Sequence, residues 1–137
     1  MAASGSTPKR GRYLLDTNVV TALFKHDAAV HAELAAASEV LLSSTVLGEL
    51  YYGAARSGQP RQNLERLEEF AATCTVLATD GHTARVYGSI KDELRQRGRP
   101  IPDNDLWIAA SARQHSLILV TRDHHFSQVT GLRRAAW

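Results

Sequence analysis

Cysteine occurs once in this chain, at position 74, so no intramolecular disulfide can form and the fold must be held by its packing alone. A reducing cytosol is the expected compartment. Cys74 lies in the apolar stretch Phe70-Ala-Ala-Thr-Cys-Thr-Val-Leu77 and reads as a small packed residue rather than a reactive thiol. Long apolar runs are also missing: nothing approaches the roughly 20 residues needed to cross a bilayer. Lys9, Arg10 and Arg12 precede Tyr13 with no apolar segment before them, so no secretory signal is expected. A large excess of one charge sign is missing too, with 16 Lys and Arg against 14 Asp and Glu. A net +2 suits a polyanionic partner without demanding one.

What remains is ordinary globular material. With 137 residues, 44% of them hydrophobic and 22% charged, the chain can build one sizeable core. Residues 1–12, rich in Ser, Gly and Ala, read as a disordered leader, and residues 13–137 as the domain. Tyr13 to Leu15 is a short strand that ends on Asp16. Val19, Val20, Leu23 and Phe24 give a helical face over Asn18 to His26, and an alanine-rich helix follows over Ala28 to Ala37. Val40 to Leu42 is the next strand, and Thr45 to Ala55 the next helix. Arg61 to Ala72 is amphipathic, with Leu64, Leu67 and Phe70 inward and Glu65, Glu68 and Glu69 outward. Thr75 to Thr79 is a strand, and Asp80 is placed to cap a helix reaching about Gln96. After a rigid loop at Gly98 to Pro102, Asp103 would cap a helix over Asn104 to His115. Leu117 to Val120 is an apolar strand, and Val129 to Arg133 a last short one. Apolar strands alternating with helices argue for a parallel sheet covered on both faces, a three-layer α/β/α sandwich.

Open parallel sheets bind ligands beyond the carboxyl ends of their strands. Asp16 and Asp123 sit at two such ends. Glu49 is the only charged residue between Thr45 and Ala55, and on a helix it borders the buried face marked by Val46, Leu50 and Gly53. An unpaired carboxylate there costs several kcal/mol or takes up a proton, and a metal ion or a buried arginine would relieve it. Asp105 heads the inward stripe Ile108, Ala109 and Ala112; compensation of the helix dipole is its plainer explanation. Together, four carboxylates at one sheet edge make a hard oxygen donor set suited to Mg²⁺, with Mn²⁺ as the alternative. The six histidines show no zinc-like pairing with cysteine, and His124-His125 reads as surface loop. Mg²⁺ held this way keeps open positions for water and phosphate oxygens, so phosphodiester hydrolysis needs no nucleophilic side chain.

Four segments then match a known family. Leu14-Leu-Asp-Thr-Asn-Val-Val20 resembles the opening motif of PIN domains, and Ser43-Ser-Thr-Val-Leu-Gly-Glu-Leu-Tyr-Tyr-Gly53 resembles the segment carrying their glutamate. Asp105-Leu-Trp-Ile-Ala-Ala-Ser-Ala112 is similar to the third acidic motif, and Leu119-Val-Thr-Arg-Asp-His-His-Phe126 to the fourth. The order holds over nearly everything after the leader, and the VapC toxins are the group it resembles most. The resemblance implies a Mg²⁺-dependent endoribonuclease, with Asp16 and Asp105 as core metal ligands and Glu49 and Asp123 completing the pocket. It gives Asn18 and Thr121 supporting roles. It also implies a homodimer, an RNA substrate and a VapB-type antitoxin that covers the acidic pocket. Arg85, Arg95, Arg97, Arg99 and Arg122 are candidates for a basic rim that draws RNA in. Tyr52 and Trp107 are candidates for stacking on bases, with core or dimer contact the stronger expectation.

Three other functions compete with this one. A haloacid-dehalogenase-type phosphatase needs an acid two residues after its first Asp, where this chain has Asn18. A phosphoaspartate receiver needs an acidic pair before Asp16, which is missing. A non-catalytic RNA- or protein-binding module on a PIN-like fold is the remaining alternative.

Overall fold

The computed structural model describes residues 9–137; the leader expected at residues 1–12 therefore falls largely outside the described residues. Its last four positions do not, because strand β1 spans Lys9–Leu15. The sequence hid this extension: only Tyr13 onward pairs on both sides, with β2 and β4, whereas Lys9 to Arg12 pair with β2 alone. The register slips between Lys9 and Arg12, at Gly11, whose φ of 144° is open to glycine. A Cβ there would also meet Ile118 Cδ1 and the Tyr13 ring at 3.2 Å.

Helices α1 (Thr17–Phe24) and α2 (Ala28–Ala36) lead to β2 (Ala37–Ser43). Helices α3 (Ser44–Ala55) and α4 (Pro60–Ala72) lead to β3 (Thr75–Leu77). Helices α5 (Gly81–Gln96) and α6 (Asp103–Gln114) lead to β4 (Ile118–Val120), and a 3₁₀ turn (His124–Gln128) precedes β5 (Arg133–Ala135). All strand pairs are parallel, in the order β3-β2-β1-β4-β5. This is the three-layer α/β/α sandwich that the alternating pattern predicts, and none of its described helices is long and apolar enough to cross a membrane.

The chain winds outward from β1 to β3 on one side, then jumps back to place β4 on β1's other side. Adjacent crossovers therefore diverge between the ends of β1 and β4, opening a crevice at the topological switch point. Leu14, Leu15, Leu41, Leu42, Leu119 and Val120 are wholly buried, so the central strands are anchored from both faces.

The edges depart from the sequence reading. β3 is a mostly exposed edge strand with Val76 47% accessible, and β5 begins at Arg133, where the expected strand ends. Leu64 points outward at 38% accessibility while Leu67 is buried, because α4 lies at the sheet margin with a narrow inner stripe. Asp103 does not cap α6. It forms the first turn after Pro102, and its carboxylate instead accepts from Tyr87 Oη (2.9 Å) and Lys91 Nζ (3.4 Å). Asp80 does cap α5, in a capping box closed by Thr83. Cys74 is half-buried against the core, which pushes its thiol pKa up.

Candidate active site

Register sets the first acid. Leu15 pairs with Val120, so the residues that follow, Asp16 and Thr121, lie side by side at the carboxyl ends of β1 and β4. Asp16 N–H donates to the Val120 carbonyl at 2.9 Å, extending the ladder one step beyond β1. Asp16 then caps α1, its Oδ1 accepting from Thr17 N–H at 2.8 Å. Its Oδ2 accepts from the Thr121 hydroxyl at 2.7 Å. Only 5% of Asp16 is accessible, and burial is the main reason its pKa is raised. The two hydrogen bonds work against that shift, while the charges of Asp105 and Glu49 reinforce it.

Glu49 comes from the second turn of α3, on the half-buried flank foreseen from its apolar neighbours. Its Oε1 accepts from the Thr17 hydroxyl, and its Oε2 accepts from Asn104 Nδ2 at 3.2 Å. Thr17 thus links Asp16, through its backbone, to Glu49, through its side chain. Asn104 ties Glu49 to the start of α6, where Asp105 follows. Both Asp103 and Asp105 lie in that helix's first turn, the end where a negative charge is favoured.

Asp105 and Asp123 are joined by His125. The ring Nδ1 of His125 lies 3.1 Å from Asp105 Oδ2 and 3.2 Å from Asp123 Oδ1. The ligand atoms of these three residues fall within 4.8 Å of one another, a group able to hold a metal ion. Burial chiefly raises the Asp105 pKa, the His125 bond lowers it, and the charges of Asp123 and Glu49 raise it further. The His125 pKa is raised first by its bond to Asp105 and then by the charge of Asp123. Asp123 is aimed by two local bonds: its N–H donates to Thr121 Oγ1 (2.9 Å), and its Oδ1 accepts from His125 N–H (2.9 Å).

All four acids singled out in the sequence come from separate elements and lie as neighbours: Asp16 feels the charges of Asp105 and Glu49, and Asp105 those of Asp123 and Glu49. Thr121 is a hub, donating to Asp16 and accepting from Asp123. Asn18 accepts at its Oδ1 from Arg122 N–H at 3.4 Å, on the loop after β4 that carries Asp123. Sequence reasoning does not find Thr17, Asn104 or His125. Each lies beside a quoted acid or within its motif, but each acts on an acid from another element, and a single sequence does not display that pairing. Of the proposed rim, Arg122 is spent on the Trp137 carbonyl (2.8 Å) and Asp27 (3.0 Å), and Arg97 on the Gln128 carbonyl. Trp107 stacks on Tyr87 with ring centroids 3.9 Å apart, whereas Tyr52 is 68% accessible.

Comparison with known proteins agrees with this geometry. The PIN domain family model matches residues 13–132. Ribonuclease VapC2 of Haemophilus influenzae is 36% identical over 132 residues, covering 92% of this chain and 98% of the relative. The tRNA(fMet)-specific endonuclease VapC of Shigella flexneri is 36% identical over 129 residues, with the same two shares covered. Among solved structures, the DNA-bound VapBC of Salmonella typhimurium superposes with a TM-score of 0.86 at 30% identity, covering 93% of this chain and 99% of that one. A fold wound about this switch point, four acids in family order and this extent of similarity lead to one assignment: the chain belongs to the PIN-domain family, within its VapC group.

Proposed function

We propose that this protein is a metal-dependent endoribonuclease, the toxin of a VapBC-type toxin–antitoxin pair, acting in the cytoplasm. The observation that carries this reading is the convergence of Asp16, Glu49, Asp105 and Asp123 on the crevice between β1 and β4. The donor set fits a hard divalent cation, Mg²⁺ or Mn²⁺: four carboxylates, two of them with pKa values raised partly by their neighbours' charge, are an environment that a cation relieves. The ring of His125, whose pKa the two carboxylates raise, stands between Asp105 and Asp123, where a positive charge is favoured.

Asp16 and Asp105 would be the core ligands, with Glu49 and Asp123 completing the set. When bound, the ion acidifies water and neutralises charge developing on the phosphoryl group. The chain's own residues orient and exchange protons around that event. Thr121 and the Thr17 N–H fix both oxygens of Asp16, so its carboxylate cannot rotate away. Glu49, braced by Thr17 and Asn104, is the group we assign to receive the proton of the attacking water. That water's oxygen would form the new P–O bond as the P–O bond to the leaving ester oxygen breaks, and the leaving oxygen would take a proton from solvent. His125 is 52% accessible at its side chain, so its carboxylate bonds would be given up readily to a cation held by Asp105 and Asp123.

The partner follows the same logic. A groove of 460 Å³ runs from Glu49 and Thr17 along Phe24, Leu50 and Leu67, between α1, α3 and α4. An antitoxin segment lying there would bring a basic side chain to the carboxylates and compete with metal and RNA, and the toxin is proposed to act as a homodimer. The deciding experiment is digestion of total cellular RNA, transfer RNA included, by the purified chain with Mg²⁺ or EDTA, beside Asp16→Asn. Discrete fragments lost with EDTA and with the substitution support the reading. Intact RNA with folded, antitoxin-free protein and Mg²⁺ contradicts it.

A further inference from the structure

An acidic pocket repels the polyanion it is meant to cut, so the strand must find cations beside the carboxylates. Several arginines are already committed to protein acceptors. Arg66 donates to the Phe24 carbonyl, Arg113 to Glu93 and the Thr130 carbonyl, Arg122 to Asp27 and the Trp137 carbonyl, and Arg133 to the Ser116 carbonyl. Arg134 is different. Strand alternation turns it away from the side that Arg133 takes, and it is exposed with no hydrogen bond or ion pair among the described residues.

Its position is more telling than its freedom. Arg134 pairs with Leu119 and Ala135 with Val120, and the Ala135 carbonyl accepts from Thr121 N–H at 3.0 Å. Arg134 therefore stands one strand away from the carboxylates, at the same end of the sheet. It lines a depression of 430 Å³ together with His124, Leu132, Thr121 and Asp123. Two of those residues, Thr121 and Asp123, also bond within the acidic site, so the depression adjoins it. The depression is large enough for a nucleotide. Its lining supplies a guanidinium, an imidazole and the apolar side chain of Leu132 for a sugar or base.

We propose that this depression is a substrate subsite, in which Arg134, aided by His124, holds a backbone phosphate of single-stranded RNA flanking the scissile bond. This rests on the ribonuclease reading above. A guanidinium takes phosphate oxygens in a two-pronged contact and reads no base, so the subsite positions the strand without selecting sequence. Asp123, the one anion in its wall, faces the metal-holding side, where a bound cation offsets its charge.

The test uses the full chain and a short fluorescein-labelled single-stranded RNA, with binding followed by anisotropy while Ca²⁺ replaces Mg²⁺. Arg134→Ala should weaken binding about 5–10-fold between roughly 50 and 200 mM KCl, and reduce the slope of log Kd against log salt by about 0.7, one phosphate contact on a single strand. Arg134→Lys should retain most of the affinity, and Arg61→Ala, an exposed arginine on α4, should match the wild type. In Mg²⁺, Arg134→Ala should raise KM with kcat nearly unchanged. If Arg134→Ala binds RNA with wild-type affinity and salt slope while the wild type cleaves, the subsite is wrong and the ribonuclease reading stands. A wild type that neither binds nor cleaves RNA overturns both.

Discussion

The two halves of the acidic pocket are built differently. Asp16 is a product of the sheet: the β1–β4 register delivers it, a helix N-terminus and a threonine hydroxyl fix its two oxygens, and it is 5% accessible. Asp123 and His125 hang from the loop beyond β4, 32% and 52% accessible at their side chains, and Asp105 opens a helix at 16%. The first half cannot move without breaking core packing; the second adjusts through one histidine ring. A rigid carboxylate beside an adjustable pair suits a site that must hold a cation and still admit a bulky strand.

The sharpest way to test that contrast is Asp16→Asn. Cleavage should fall by three orders of magnitude or more if Asp16 is the metal ligand proposed above, on the order of 4 kcal/mol of transition-state stabilisation. Thermal stability in EDTA should nevertheless rise. The sign follows from linkage: the Asp16 pKa is raised in the folded state, so its ionised form destabilises the fold above that pKa, and asparagine removes the charge while keeping a helix cap. A Tm that falls in EDTA would show the carboxylate to be structural.

Thr121→Val should come next. It removes the donor to Asp16 and the acceptor for Asp123 N–H together, and we expect about a 10–100-fold loss of cleavage or metal affinity, the usual cost of removing a ligand's supporting bond. His125→Ala should cost less, because it frees the adjustable half rather than the fixed one. Equal losses would erase the distinction.

Mg²⁺ itself should stabilise the wild type. At ten times Kd the gain is about 1.4 kcal/mol, or roughly 3–5 °C in Tm for a domain of this size. It should vanish in Asp16→Asn. The smallest effect lies far from the pocket, at Asp80, whose pKa is lowered to about 2, first by the Thr83 N–H, then by the Thr83 hydroxyl and Gln114. Its contribution to stability is complete above the ordinary carboxylate pKa and is lost as pH falls through about 2. Asp80→Ala should flatten that part of the acid-melting profile and leave RNA cleavage unchanged.

The four acids were legible because each stands out locally, ending an apolar strand or interrupting an apolar helix face. The central strands were legible for the same reason, since burial on both faces writes itself as unbroken Leu and Val. What stayed hidden depends on neighbours in space. The Thr17 hydroxyl meets Glu49 from another helix, and His125 beside His124 has nothing local to mark it as the bridge between Asp105 and Asp123. Asp103 looked like a cap because it follows Pro102, yet a nearby tyrosine and lysine claim its carboxylate. Edge strands β3 and β5 were blurred since exposed strands need no apolar pattern.

The central claim is that residues from four distant segments form one cation site. Mn²⁺ binding followed by electron paramagnetic resonance tests it most directly. We predict saturable binding to the wild type, weakened at least about tenfold in both Asp16→Asn and Asp105→Asn, one from each half of the pocket. Wild-type affinity in either variant would contradict a shared site.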